Sequence, residues 1–119
     1  MDNIIISGMD DFWPGEISVI KVYYDENMIA EFQFMTCTDL DGDIAYVTPY
    51  IASVKEEFQR QGIGRFVIEQ IAEIYIVKFK NVINNIAEDK NDIHYTDAGL
   101  SWAYSCRNIH NVILDDIEP

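Results

Sequence analysis

The chain has 119 residues and a mass of 13.8 kDa, which is enough for one domain and too little for two of ordinary size. Its apolar content of 49% and charged content of 24% are those of a globular protein, which excludes disordered and collagen-like classes. With 8 basic and 21 acidic residues the formal charge is −13, which repels nucleic-acid phosphates and favours basic partners. We therefore predict a single domain over residues 1–119 that makes no direct contact with nucleic acid.

Two further features of the composition bear on where the protein works. The two cysteines, Cys37 and Cys106, are too few for a disulfide scaffold, which indicates a reducing compartment. No apolar run in the sequence approaches the ~20 residues that span a bilayer, and the first residues lack the basic region of a secretion signal. We therefore expect a cytoplasmic protein that does not contact the membrane.

The first half of the chain predicts strands joined by turns. Ile4–Ser7 is a short apolar run, and Ile17–Tyr24 is rich in β-branched and aromatic residues and is followed by a turn cluster. Residues 28–36 alternate in polarity with a period of two, as a half-buried strand does. Ile44–Val54 is again strand-like, but Pro49 cannot donate a sheet hydrogen bond and marks either a bulge or an edge.

The second half of the chain predicts helices that alternate with strands. Apolar residues recur at a spacing of three and four from Ile63 onwards, so we expect a helix over about 61–77. We expect a short strand over 81–87, a second helix from 96 or 97 to 105, and a last strand over 107–114. This order predicts an α/β (α+β) domain with a mixed, mostly antiparallel sheet and helices on its faces.

The most specific motif lies between the strand that ends at Val54 and the long helix. The run Gln59-Arg60-Gln61-Gly62-Ile63-Gly64-Arg65 places two glycines and two arginines at a helix start. Glycine lets a ligand approach the backbone, first-turn amides lack partners within the helix, and the helix dipole is positive there. A phosphate or pyrophosphate is therefore the expected ligand, and the alternative is a tight turn in which the glycines only permit the bend.

Two common phosphate motifs do not fit this run. A P-loop would need Lys-Ser/Thr after its glycine, where Arg65 and Phe66 follow Gly64, and the dinucleotide fingerprint would need a glycine in place of Val67. The run 59–64 instead resembles the acetyl-coenzyme A loop of the GNAT superfamily of N-acetyltransferases, whose signature is Gln/Arg-x-x-Gly-x-Gly/Ala between a strand and a helix. The resemblance covers about residues 51–77 and includes the aromatic Phe58 before the loop.

The resemblance implies a GNAT-like fold and an acetyl-coenzyme A dependent N-acetyltransferase. It implies that the fourth strand separates from the fifth at a bulge, for which Pro49 is the candidate, and that residues 51–54 pair with the pantetheine arm. The residues that it assigns to acetyl-coenzyme A are Val54, Gln59, Arg60, Gln61, Gly62, Ile63, Gly64 and Arg65.

The resemblance also suggests a catalytic acid. Tyr104 stands where the family has a tyrosine that protonates the leaving thiolate, and a phenol with a pKa of about 10 is a suitable acid for that step. Tyr104 also belongs to an apolar cluster with Trp102 and Cys106, so a packing role is the alternative. Asp97 stands where the family has an asparagine that contacts pantetheine.

The acceptor side is the least defined part of the resemblance. Only about sixteen residues precede Ile17, so we expect a reduced acceptor lid, as in the minimal acetyltransferases carried by bacteriophages, and a groove that a homodimer could complete. The acid surplus favours a basic acceptor such as a polyamine, another amine or a lysine-bearing protein. The alternative from a different class is a non-catalytic acidic protein that binds a basic partner, for example as a nucleic-acid mimic.

Other residue types that carry chemistry form no recognisable motif. The acidic turn 39–43 lacks the glycine and glutamate of an EF-hand, and the cysteines have no CxxC context, so we predict no metal site. His94 and His110 have no nucleophile at a hydrolase spacing. The carboxylates that could deprotonate an acceptor amine are Glu31, Glu56 and Glu57.

Overall fold

The computed structural model describes residues 3–59, 61–80 and 97–115. The strands in this part of the chain are β1 (Ile4–Ser7), β2 (Ile17–Tyr24), β3 (Asn27–Thr38), β4 (Ile44–Val54), β5 (Val77–Lys80) and β6 (Val112–Asp115). The helices are α1 (Ile63–Ala72) and α2 (Asp97–Ser105), and a 3₁₀ turn, Glu56–Phe58, lies between β4 and α1.

The described strands form one mixed sheet in the order β1-β2-β3-β4-β5-β6. Strands β1 to β4 pair antiparallel, whereas β4 with β5 and β5 with β6 pair parallel. Parallel neighbours need a crossover connection, and α1 lies in the crossover from β4 to β5. The mixed α/β class that the sequence predicts is confirmed, as are the bounds of β2 and β4.

One face of the sheet carries the hydrophobic core. Side chains alternate across a strand, so every second residue of β2 and β3 points to this face. The α1 helix packs its apolar stripe on the same face. The core residues that the sheet and α1 contribute include Ile20, Val22, Phe32, Phe34, Val47, Ile63, Val67, Ile68, Ile71, Val77 and Phe79.

The opposite face of the sheet, which we call the open face, has no described helix on it. The α2 helix contacts α1, and Trp102 of α2 contacts Phe32 and Phe79, so both described helices lie on the core face. The sequence predicts helices on the faces of the sheet, and the two described helices lie on one of them. The physical reason is that β2 alternates between buried and exposed residues and β3, from Ala30 onwards, between buried and half-buried ones, which gives these strands one strongly apolar face to bury.

The long helix ends earlier than the sequence predicts. It ends at Ala72, and Val77 is already the first residue of β5. Val77 and Phe79 are buried while Lys78 and Lys80 are half-buried, a period of two that belongs to a strand. The β-branched residues of this run favour extended backbone, and this preference outweighs the helical spacing that continues past Ala72.

The last strand is shorter than predicted. It begins at Val112 because the chain before it forms successive turns, in which Cys106 N–H donates to Ala103 O and Ile109 N–H donates to Cys106 O. Asn111 has a φ of 71°, which regular strands do not contain. The strand predicted over 81–87 lies outside the described residues.

Neither described helix could cross a membrane. The longer of the two, α1, has 10 residues, whereas a membrane-spanning helix needs ~20 apolar ones.

Candidate functional site

Strands β4 and β5 pair for a short distance and then part. Their parallel register contains one Cα pair, Val47 with Val77, although β4 continues to Val54. At this point Val47 N–H donates to Ile76 O at 2.9 Å. Beyond it, β3 is the one described strand with which β4 pairs. We call the gap that opens between β4 and β5 the wedge.

A β-bulge lies close to the point where the wedge opens. Gln33 of β3 pairs with Ile51 and the next residue, Phe34, pairs with Pro49, so Tyr50 is the extra residue of β4. Proline has no N–H to donate, and bulges are one of the few places in a sheet where it fits. Of the two readings that the sequence leaves for Pro49, the bulge is the one that the register supports.

The main chain of β4 faces the wedge beyond the bulge. Lys55 N–H donates to Ile29 O at 2.8 Å, on the side of β3. Main-chain groups alternate sides along a strand, so those of Ala52 and Val54 point the other way, where no described strand pairs with them. The side-chain amide of Gln59 donates to Val54 O at 2.9 Å. The Ala52 N–H and C=O and the Val54 N–H are thus the main-chain groups directed at the wedge.

The loop from β4 to α1 is held in place by its own side chains. Phe58 of the 3₁₀ turn packs edge-on against Tyr24, with ring centroids 5.6 Å apart. The side-chain amide of Gln61 donates to Glu57 O at 2.8 Å. Together with the bond from Gln59, these contacts fix the path of the chain into the start of α1.

Gly62 precedes α1 in the left-handed region, with a φ of 83°. Only glycine adopts this conformation without strain. Phe66 N–H donates the first bond of the helix, to Gly62 O at 2.9 Å, so the amides of Ile63, Gly64 and Arg65 have no partner within the helix. These amides and the positive end of the helix dipole lie together, which is the arrangement that binds anions.

Gly64 is required by packing against α2. A Cβ atom at this position would lie 2.7 Å from Nε1 and 3.0 Å from Cδ1 of Trp102. The indole N–H is buried and has no hydrogen-bond partner among the described residues. The absent side chain of Gly64 therefore makes room for an indole, whereas admission of a ligand stays a prediction for Gly62.

The side chain of Arg65 is already engaged elsewhere. Its guanidinium donates to Ser105 O at the end of α2 and pairs with Glu69, one turn further along α1, at 3.3 Å. Its remaining contribution to an anion site is its backbone amide. Arg60, the other arginine of the motif, lies outside the described residues.

The α2 helix brings Tyr104 close to the start of α1, because the contact from Arg65 to Ser105 joins the two helices there. Tyr104 is half-buried, and the guanidinium of Arg107 lies 5.8 Å from its ring centroid and donates to its carbonyl at 2.7 Å. No hydrogen bond joins the phenol oxygen to another described residue. The acid role and the packing role of Tyr104 both fit this placement. Asp97 is the first residue of α2.

Trp102 closes the wedge on the core face. Its ring centroid lies 5.5 Å from that of Phe32 on β3 and 5.3 Å from that of Phe79 on β5. Since β4 lies between these two strands, the indole spans the gap.

The open face carries a group of residues that the sequence analysis does not identify. The Nζ atoms of Lys78 and Lys80 lie 4.3 Å and 4.9 Å from the ring centroid of Tyr46, and Lys80 donates to the Tyr46 hydroxyl at 2.6 Å. This hydrogen bond raises the pKa of Lys80. We call Tyr46, Lys78 and Lys80 the cationic cluster. The alternation in Val77-Lys78-Phe79-Lys80 is the sequence signal that places both lysines on one face.

The remaining candidates do not come together. Glu56 and Glu57 are exposed in the 3₁₀ turn, and Glu31 is half-buried on the open face. His110 is exposed, and His94 lies outside the described residues. Within the described ranges no group of three residues could hold a metal ion. A surface cavity of about 740 Å³ lies at the C-terminal half of α1 and does not include the loop before Gly62.

No protein-family model matches the chain, and no curated protein matches it either. The resemblance to the GNAT acetyltransferases is therefore a prediction from the loop motif in the sequence.

Proposed function

We propose that this protein is an acetyl-coenzyme A dependent N-acetyltransferase with a GNAT-like fold. The observation that carries the proposal is the junction of three features. Two parallel strands share a single described Cα pair, Val47–Val77, and beyond it no described strand pairs with that edge of β4. The strand then leads into a helix start at Gly62 with three amides that lack partners within the helix.

The residues of the junction fit the cosubstrate. The amides of Ile63, Gly64 and Arg65 would hold its diphosphate, and the main chain of Ala52 and Val54 would pair with the pantetheine arm. When bound, acetyl-coenzyme A supplies an acetyl group activated as a thioester. The bulge beside Pro49 lies about 16 Å from Val54 along an extended strand, which leaves a long main-chain edge for the arm.

Tyr104 is the residue that we propose as proton donor to the coenzyme A thiolate. It lies in the last turn of α2, which contacts the first turn of α1. Substitution Tyr104→Phe removes the phenol and keeps the ring, so kcat should fall at least ~10-fold with little change in KM, as expected for lost general acid catalysis. An unchanged kcat would assign Tyr104 to packing.

The proposed acceptor is an amine. The net charge of the chain supports a cationic acceptor, and its cysteines bear on the compartment. The charge of −13 raises the local concentration of cationic amines, including polyamines and lysine side chains of proteins. Cys37 and Cys106 are both free, which supports a reducing compartment such as the cytoplasm.

Calorimetric titration with acetyl-coenzyme A tests the proposal directly. The wild-type protein should bind, and Gly62→Glu should weaken binding at least ~100-fold, because a carboxylate about 4 Å from a phosphate costs about 4 kcal/mol at an effective dielectric constant of 20. Gly42→Glu is the matched control, since Gly42 is an exposed glycine with a φ of 85° in the turn between β3 and β4.

Two outcomes of this titration would contradict the proposal. One is a wild-type protein that shows no binding of acetyl-coenzyme A. The other is a Gly62→Glu variant that binds as tightly as the Gly42→Glu control. If salt-sensitive binding of a basic partner then survives Gly62→Glu, the protein is an acidic binding module.

A further inference from the structure

The cationic cluster lies at the narrow end of the wedge, beside the Val47–Val77 pair. Tyr46 immediately precedes Val47, the β4 residue of the only β4–β5 Cα pair in the described register. Tyr46 pairs with Cys37 of β3, while its neighbour Val47 is fully buried in the core, so the Tyr46 side chain lies on the open face. The lysines reach the same ring from β5. Because Trp102 closes the other side, this is the face from which a second substrate can enter.

The positive charge of the cluster is not neutralised by an ion pair. Among the described residues the one salt bridge joins Arg65 to Glu69, at the other side of the sheet. Asp115 pairs with Lys80 in the β5–β6 register, but the two charges do not come within 4.0 Å of each other. Two ammonium groups that form no ion pair with a described residue and lie on one tyrosine ring are conspicuous in a chain with 8 basic and 21 acidic residues.

The polar groups around the lysines can complete an anion site. The Tyr46 hydroxyl accepts its hydrogen bond from Lys80, which leaves its own proton free to be donated. Thr48 follows two residues later on the same face, is 3% exposed, and its hydroxyl has no hydrogen-bond partner among the described residues. Buried hydroxyls are rarely left without a partner.

We propose that Lys78, Lys80 and the Tyr46 hydroxyl bind an oxyanion, and that the acetyl acceptor is a small amine that also carries a carboxylate or a phosphate. The inference that the acceptor carries the oxyanion rests on the proposed function, whereas the inference that the cluster binds an oxyanion does not. The cluster lies at the opposite end of β4 from the amides of α1, so it is separate from the diphosphate site. Two ammonium groups and a hydroxyl match the charge and the acceptor atoms of either anion.

The negative charge of the whole protein does not oppose this inference. Solvent ions screen charges over about 8 Å at physiological ionic strength, so the nearest groups decide what binds in contact. A zwitterionic amine is attracted in two ways. The field of the whole protein attracts its ammonium group, and the cationic cluster attracts its anionic group.

A titration monitored by ¹H–¹⁵N NMR tests oxyanion binding without any turnover. Inorganic phosphate, at constant ionic strength, should cause saturable shifts of the Tyr46, Val47 and Lys78 amides. The double variant Lys78→Gln/Lys80→Gln should weaken this binding at least ~10-fold. Lys78→Gln alone keeps the hydrogen bond between Lys80 and Tyr46 and should weaken phosphate binding about 3-fold. This single variant replaces the double variant in the test if the latter does not fold.

Lys21→Gln is the matched control for this titration. Lys21 lies on β2 opposite Glu31. Its replacement by glutamine changes the net charge of the protein by the same amount as Lys78→Gln does. Its phosphate affinity should equal that of the wild type. A wild type without saturable shifts, or equal losses in Lys21→Gln and Lys78→Gln, would overturn the oxyanion site. The same titration with acetate tells whether a carboxylate binds better than a phosphate.

A turnover assay tests the assignment to the acceptor. The value of kcat/KM should be at least ~10-fold higher for O-phosphoethanolamine or β-alanine than for ethanolamine, and the double variant should remove the difference. Equal values in the wild type would overturn the acceptor assignment. Absence of turnover with all three amines would also overturn the acceptor assignment. The proposed function would still be decided by the acetyl-coenzyme A titration, and the oxyanion site by the phosphate titration.

Discussion

The contact between Gly64 and Trp102 gives the sharpest prediction about the start of α1. In Gly64→Ala the new Cβ would lie 2.7 Å from the indole Nε1, whereas carbon atoms in favourable contact are separated by about 3.5 to 4.0 Å. Overpacking of this kind costs about 1–3 kcal/mol, and the better helix propensity of alanine returns up to about 1 kcal/mol. We expect Gly64→Ala to destabilise the protein by about 1 kcal/mol.

The test of this reasoning is a double-mutant cycle with Trp102→Leu. Without the indole the steric conflict is gone, so Gly64→Ala should stabilise the Trp102→Leu protein by up to about 1 kcal/mol. The coupling between the two positions should therefore be about 2 kcal/mol. Urea unfolding followed by far-UV circular dichroism measures all four proteins, and unlike fluorescence it does not depend on Trp102. The same effect of Gly64→Ala in both backgrounds would show that the indole is not the reason for the glycine.

Three further predictions concern the core and the open face. Phe12→Ala should lower the free energy of unfolding by about 3 kcal/mol, because Phe12 is 6% exposed and lies against two other aromatic rings; a loss below about 1 kcal/mol in urea unfolding would contradict this packing. Burial raises the pKa of the Cys106 thiol, so a thiol reagent at pH 8 should modify Cys37 in the folded protein and reach Cys106 only in urea; equal rates would refute it. Tyr46→Phe should lower the pKa of Lys80 in an NMR titration of the lysine side chain, and an unchanged pKa would exclude the hydrogen bond to Tyr46 as the cause of the raised value. The stability that this hydrogen bond contributes is present at neutral pH and is lost as the pH rises past the raised pKa, above 10.5.

The loop motif shows how far sequence reasoning reaches at the candidate site. The spacing of Gln59, Gly62 and Gly64 predicts a helix start with unpartnered amides after a strand, and the structure has that arrangement. Glycine conformation and helix termini are local properties, so a few neighbouring residues determine them. The role of Gly64 is different, because it depends on an indole that is far away in sequence.

The end of α1 shows where local patterns compete. Residues after Ala72 continue a helical spacing and also form a β-branched run, and the sequence offers no rule that decides between them. The decision comes from the sheet, because Val77 finds partners in both Val47 and Val112. Pairing between strands that are distant in sequence overrides local preference here.

The sequence by itself determined the mixed α/β class, the bounds of β2 and β4 and the glycine-rich start of α1, because periodicity and turn chemistry act over a few residues. Only the tertiary structure decided where β4 and β5 part, that Trp102 closes the gap on one side, and that Lys78 and Lys80 meet on Tyr46 on the other. These are contacts between residues 23 to 34 positions apart in strands and helices. No local pattern encodes which distant partners will meet once the core has formed.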